Sequence, residues 1–294
     1  MADKIDYYKD INKLNPESGR LIFRRTVTST CFFILTFYTA VFLNHAVSAY
    51  AAKIMGYDPV LKYFEVSNLP MDWEHWSKLR VFVFYSSGPL FVLFVGLISW
   101  HLHSLLKKTS SIFKPVTLWF SFNCIVLFLS YVIVVVLGTG SYNSPFYYGF
   151  SVIASWYWFG KPLMAPVTLL GVGFSALYAF FVSRSFLELS SSYKRINNLY
   201  GKRAFVFYNV VLPVFIGSVI ILVLRADKDF IESLVTFISA VIVVFVIWLR
   251  SIPKISGLKI VKSDTLDFPV GFSLILLLVF LALLSWFFEN GLVL

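Results

Sequence analysis

The residues able to do chemistry in this chain are few, and their spacing limits what that chemistry is. Its four histidines are His45, His75, His101 and His103. On a helix, His101 and His103 project about 200° apart, so they do not chelate one ion together. No metal site is expected: His45 with His75, Asp72 or Glu74 is the one outer-face combination to weigh, and the favoured reading is a buried His45 hydrogen-bonded across the bundle with Asn44 or Ser48. A zinc-hydrolase helix of the form H-E-x-x-H sets two imidazoles one turn apart, with a general-base glutamate beside the first. Asn44-His45-Ala46-Val47-Ser48 has that spacing but carries an amide and a hydroxyl at the outer positions. Neither is a normal zinc ligand. Elsewhere the interiors of the apolar runs offer Asn123, Asn209 and hydroxyls, with no Asp or Glu at mid-run. Intramembrane charge marks proton and ion pathways, so a proton-coupled pump is poorly supported. The chain has no phosphate-binding loop, dinucleotide fingerprint or nucleophile elbow.

The elements that must position these groups are membrane helices. Of the 294 residues, 59% are hydrophobic and 14% charged, and mean hydropathy is +0.80. Soluble domains are about half apolar and about a quarter charged. A span takes about 20 apolar residues to cross roughly 30 Å of hydrocarbon. Seven stretches qualify: 26–50, 81–105, 115–138, 162–183, 204–224, 233–249 and 268–288. The expected fold is therefore an all-α polytopic membrane protein, with a short aromatic interfacial segment at 145–159. Segments 1–25, 106–114, 184–203 and 250–267 hold 18 of the 25 Lys and Arg residues. The positive-inside rule then puts the N-terminus in the cytoplasm and the C-terminus outside. Residues 1–25 read as a cytoplasmic segment without a signal peptide, and 26–294 as one transmembrane domain. The net charge of +10 follows the short loops, which argues against nucleic-acid binding. Cys31 and Cys124 lie in apolar runs, where thiols act as small hydrophobes.

Aromatic residues mark the outer side. Leu69 to Lys78 reads L-P-M-D-W-E-H-W-S-K, and nine aromatics fall between Tyr142 and Phe159. Trp73, Trp76, Trp156 and Trp158 are expected as headgroup-level anchors. Small residues mark helix contacts, because close backbone approach drives association within lipid. Ser48, Ala52 and Gly56 share one face of the first span, and Gly171, Ser175 and Ala179 share one face of the fourth. Pro89 and Pro213 should kink their helices.

The longer stretch Asn44 to Gly56, N-H-A-V-S-A-Y-A-A-K-I-M-G, resembles the zinc-binding helix of the site-2-protease-like intramembrane metallopeptidases, H-E-x-x-H-A-x-A-A-K-x-x-G. The following Y-D-P-V-L-K-Y-F-E-V-S is similar to the amphipathic strand or loop that comes after that helix. Ser86 to Leu90, S-S-G-P-L, is similar to the family's A-G-P-L element, with Gly88 permitting close packing and Pro89 presetting the helix. The resemblance covers 26–110. It implies that Asn44 and Ser48 stand at the two ligand positions and His45 at the general-base position. The family's third element should supply an aspartate ligand, and its nearest counterpart, Pro166 to Gly173, has no carboxylate.

The expected function is that of a non-catalytic membrane protein on a protease-like scaffold, without a cofactor. Its partners would be the lipid bilayer and other integral membrane proteins, as a complex subunit or accessory factor in a bacterial inner membrane. Two alternatives stand beside it: an active peptidase with displaced ligands, and a transporter or channel for a neutral or lipid-like substrate. A polar cavity lined by Asn123, Asn209 or Gly138–Ser141 would favour the last.

Overall fold

The structure is a computed structural model that describes residues 19–62, 65–70, 75–106, 112–138, 145–157, 161–190, 199–226, 230–251, 270–288 and 291–293. Its long helices are α1 (Gly19–Ile54), α2 (Lys78–Leu105), α3 (Phe113–Leu137) and α5 (Lys161–Leu187). A short helix, α4 (Phe150–Trp156), joins the last two. After them come α6 (Leu199–Val206), a π-helical turn Phe207–Val211, α7 (Leu212–Leu224), α8 (Phe230–Arg250) and α9 (Val270–Phe288). Each of the seven expected spans falls on a helix. Among the described residues six helical runs, in α1, α2, α3, α5, α6–α7 and α8, are long and apolar enough to cross a membrane. The α9 helix is shorter, at 19 residues. This is the architecture of an integral multi-pass membrane protein.

The polar and apolar faces are arranged around α3. It packs against α1, α2, α4, α5 and α8, and its middle is almost wholly buried. Trp119 lies at the centre of an aromatic cluster, edge-on to Phe33 of α1 at 5.6 Å, Phe122 at 5.5 Å and Phe186 of α5 at 5.1 Å. Several polar groups on α3 are bonded across the bundle. Asn123 Nδ2 donates to the Phe33 carbonyl at 2.9 Å and to Thr36 Oγ1 at 2.8 Å. Ser121 and Tyr178 share a hydrogen bond of 2.8 Å. In hydrocarbon no water completes such groups, so these bonds hold the helices in register. By contrast α5 and α9 present Leu169, Leu170, Ile275, Leu278 and Trp286 outward. Such faces suit contact with lipid.

The π turn has an identifiable cause. Pro213 has no N–H for the carbonyl of Asn209, and the ladder shifts one residue ahead of it. The Leu212 N–H bonds to Phe207 O, and Thr26 Oγ1 from α1 donates to the Tyr208 carbonyl at 2.9 Å. A neighbouring hydroxyl therefore takes up a carbonyl that the shifted ladder leaves exposed.

A small sheet departs from the all-α expectation. Strands β1 (Val60–Leu61) and β2 (Val66–Ser67) form a hairpin after α1, and β3 (Leu292–Val293) pairs antiparallel with the other edge of β1. Gly291 has φ +76°, and a Cβ there would collide with Val60 Cγ1, so the turn into β3 requires glycine. The 145–159 segment, expected to be interfacial, is described through residue 157. Its helix α4 is packed on α2 and α3, with Ser151, Val152, Ile153 and Ala154 buried. The chain dives inward there because Ser151 Oγ bonds back to the Phe146 and Tyr148 carbonyls, which satisfies the turn internally.

Trp119→Ala should cost about 3–5 kcal/mol of stability through the cavity it leaves. Asn123→Ala should cost about 1 kcal/mol, the usual scale of an interhelical hydrogen bond in a membrane bundle. Denaturant unfolding of the purified protein in detergent checks both; a cost for Asn123→Ala equal to that of Trp119→Ala would refute the assignment of aromatic packing as the larger contribution.

Candidate functional site

Helices α1, α2, α3, α7 and α8 bring polar side chains together towards one end of the bundle. Asn44 lies on α1 ten residues before Ile54, about 15 Å below the end of that helix. It is 3% exposed, and its Nδ2 donates to the Tyr131 hydroxyl of α3 at 2.9 Å. Tyr131 in turn donates to Glu232 Oε1 of α8 at 2.9 Å. Glu232 Oε2 faces Arg225 Nη2, just past α7, at 3.4 Å, with the arginine side chain fully buried and the glutamate 13% exposed. One chain of contacts thus runs Asn44–Tyr131–Glu232–Arg225 across four elements. Leaving any member alone in an apolar surrounding is costly, so each partner holds the next.

Two glycines make room for this chain. A Cβ on Gly88 would run into the Asn44 carbonyl, lie 2.5 Å from Ser48 Oγ and 2.7 Å from Asn44 Oδ1. The α1 helix therefore rests directly on the backbone of α2 at Ser48 and Asn44. Gly149, with φ +55°, lies against the ring of Tyr131, where a Cβ would collide with Cδ1. Both the left-handed backbone and the close approach select glycine. Pro89 follows Gly88 inside α2 and cannot donate to the Tyr85 carbonyl one turn earlier.

Beside this chain is a cavity of about 540 Å³, lined among others by Asn44, His45, Ser48, Glu65, Tyr85 and Glu232. Its wall also includes Pro89, Tyr131, Tyr148 and Gly149. Asn44 Oδ1 and His45 Nε2 are buried there without a hydrogen-bond partner among the described residues. Glu232, Arg225 and Glu65 are all near enough to act on the His45 ring electrostatically. Glu65 itself pairs with Lys62 at 3.1 Å, an exposed bridge.

Several residues singled out in the sequence meet here: Asn44, His45, Ser48 and Pro89 line the cavity, and Gly88 supports it. Ala52 is fully buried next to Trp76 and Val81 in a satellite cluster. Gly56 is not on the packing face, because α1 ends at Ile54 and Gly56 forms the exposed left-handed turn beyond it, φ +87°. Gly171, Ser175 and Ala179 face α3, with Gly171 set against Val132, where a Cβ would collide. Trp76 packs inside the protein: it is 8% exposed, donates to the Pro70 carbonyl at 3.1 Å and packs on Tyr57 and Phe84. Trp156 is half-buried against the same cluster. Trp73 and Trp158 lie outside the described residues, as do Asp72 and Glu74. His75 is exposed and does not line the cavity. His103 is buried, with Nδ1 at 2.9 Å from the Lys114 carbonyl, while His101 is exposed.

Pro166 to Gly173 does not reach the cavity; Pro145, Tyr148 and Gly149 do. Glu232 and Arg225 escaped sequence reasoning because they sit at or beyond the ends of apolar runs, where charge reads as loop, and Tyr131 because an aromatic inside an apolar run reads as core. The signal for them is a buried-length pairing of opposite charges, Arg225 and Glu232, at the facing ends of two consecutive helices. Among the described residues no three His, Cys, Asp or Glu side chains gather where they could hold a metal ion. Comparison with family models, curated proteins and solved structures finds no match for the chain.

Gly88→Ala should destabilise the protein by about 1–3 kcal/mol, since the added methyl meets backbone as well as side chain. Gly173→Ala, where nothing lies within 4 Å, should be neutral or stabilising by up to about 1 kcal/mol. Thermal melts in detergent distinguish them; equal behaviour would contradict the close approach of α1 and α2.

Proposed function

We propose that this chain is a non-catalytic integral membrane protein whose motif region is a binding chamber, and that it serves as a subunit or accessory factor of a membrane complex. The observation that carries the reading is the commitment of Asn44 and Ser48. These residues stand at the ligand positions implied by the resemblance to the site-2-protease-like family, yet the Asn44 amide is held by Tyr131 and both rest on Gly88. The nearest carboxylate, Glu232, is fixed between Tyr131 and Arg225. The base of such a peptidase acts on a zinc-bound water, and among the described residues no three His, Cys, Asp or Glu side chains gather to hold that zinc. What the site offers instead is a walled space of small-molecule size, since ligand cavities run from about 300 to about 1,000 Å³.

The charge distribution of the loops supports a cytoplasmic N-terminus and an outward C-terminus, with the chamber on the outer side of a bacterial inner membrane. The outward apolar faces of α5 and α9 are the surfaces on which other membrane helices would dock. A transporter for a neutral substrate has less support. Asn123 and Asn209 are bonded within the bundle, to Phe33 and Thr36 and to Phe205 respectively. The gap beside Asn123 measures about 10 Å³, room for about one water.

Metal analysis of the purified chain should find zinc far below one ion per protein, unchanged in His45→Ala. Stoichiometric zinc lost in that variant would establish the peptidase reading instead. Under mild detergent the chain should co-purify from native membranes with a stoichiometric partner; a monodisperse lone chain would remove the subunit role. Cysteines placed at positions 2 and 294 should be labelled by a membrane-impermeant maleimide only at 294 in intact cells.

A further inference from the structure

The chamber's polar groups are unequal in kind. The charged side chains that line it among the described residues are both carboxylates, Glu65 and Glu232, with no Lys or Arg in the wall. Asn44 Oδ1, an acceptor, is buried there without a partner. Its own amide nitrogen cannot turn to replace it, because Nδ2 is engaged with Tyr131. Glu232 Oε1 accepts from Tyr131 and keeps further lone pairs, since an ionised carboxylate offers about four acceptor sites. Its pairing with Arg225, at 3.4 Å, is made through Oε2, so Oε1 meets the Tyr131 hydroxyl outside that ion pair. Around these oxygens stand the rings of Phe84, Tyr85, Tyr148 and Phe230. Ring faces attract cations. A partnerless amide oxygen, carboxylates with no wall cation among the described residues, and aromatic sides describe a ligand that is positive and rich in N–H.

We propose that the chamber binds a protonated primary amine, with the ammonium between Glu232 Oε1 and Asn44 Oδ1 and its apolar body against the aromatic wall. The inference rests on the binding-chamber reading above and narrows it to one ligand class. The Tyr131 hydroxyl bonds Glu232 Oε1 on one side and Asn44 Nδ2 on the other, which sets Asn44 Oδ1 one amide away from that hydroxyl, and the two oxygens take two of the three ammonium protons. His45 Nε2, if its proton is on Nδ1, accepts the third. An anion would meet no cation among the described wall residues, and a neutral alcohol would satisfy one acceptor and leave the others dry. The same ammonium occurs in free amines and in the headgroup of phosphatidylethanolamine.

The test uses the full chain in nanodiscs of phosphatidylglycerol, titrated calorimetrically with 2-phenylethylamine and, separately, with 2-phenylethanol. The two probes share a ring and differ at the polar end. The amine should bind at least about tenfold more tightly than the alcohol, the scale of one charge-assisted hydrogen bond. Glu232→Gln and Asn44→Leu should each weaken the amine by about tenfold or more without a matching loss for the alcohol. Equal affinity for amine and alcohol in the unaltered protein overturns the amine assignment while leaving a binding chamber in place. Binding of neither overturns both. The alcohol comparison needs no variant, so a misfolded Glu232→Gln does not blunt it. Discs containing phosphatidylethanolamine then identify the source: competition with the probe points to the headgroup, and unchanged affinity points to a free amine.

Discussion

Polar groups inside an apolar bundle have to find their partners within the chain, and α3 is where most of these partnerships are made. Ser121, Asn123 and Tyr131 follow one another along its buried length, and they bond to α5, α1 and α8 respectively. Hydrophobic burial does little to choose among helix arrangements when lipid is as apolar as leucine. Directional bonds and close backbone contacts choose instead. Shifting α3 by one turn would break all three bonds at once, and Trp119 would leave its ring of phenylalanines. The positions of α1, α5 and α8 therefore follow from the register of this one helix.

The chamber is a by-product of the same rule. Tyr131 projects from α3 far enough to bond Asn44 and Glu232, and Gly149 and Gly88 are the small residues that let it and α1 settle. Proline at 89 and the turn at Pro145 prevent regular helix from filling the space beside them. The resulting hollow is bounded by rigid elements on several sides and by the β1–β2 hairpin on another. A site of this construction is preorganised: its oxygens are held before any ligand arrives, so little ordering has to occur on binding.

The helices were legible in the sequence because length and apolarity nearly determine them. All seven expected stretches lie on helices, and the small faces Ser48–Ala52 and Gly171–Ala179 are in contact with neighbours. The sites of failure have physical causes. Gly56 continues the small-residue period of α1, but a glycine after a basic last turn also ends helices, and here it does. Trp76 and the 145–159 segment look like an aromatic belt by composition, yet a tryptophan whose N–H finds a carbonyl can be buried. Two-residue strands carry too little periodicity to be seen. Of the chamber, Asn44, His45, Ser48 and Pro89 stood out by motif. Glu232 and Tyr131 did not, because their roles depend on which helices meet, and that is a property of the folded chain.

The pairing of β3 with β1 has a temporal side. More than two hundred residues separate Leu61 from Leu292, while β1 and β2 are only a short hairpin apart. During synthesis the hairpin emerges early with an open edge, and every helix of the bundle must be made before β3 reaches it. The edge of β1 facing away from Glu65 and Val66 is thus covered only after the helices that wall the chamber have been made. Its closure reports that the bundle behind it has been assembled.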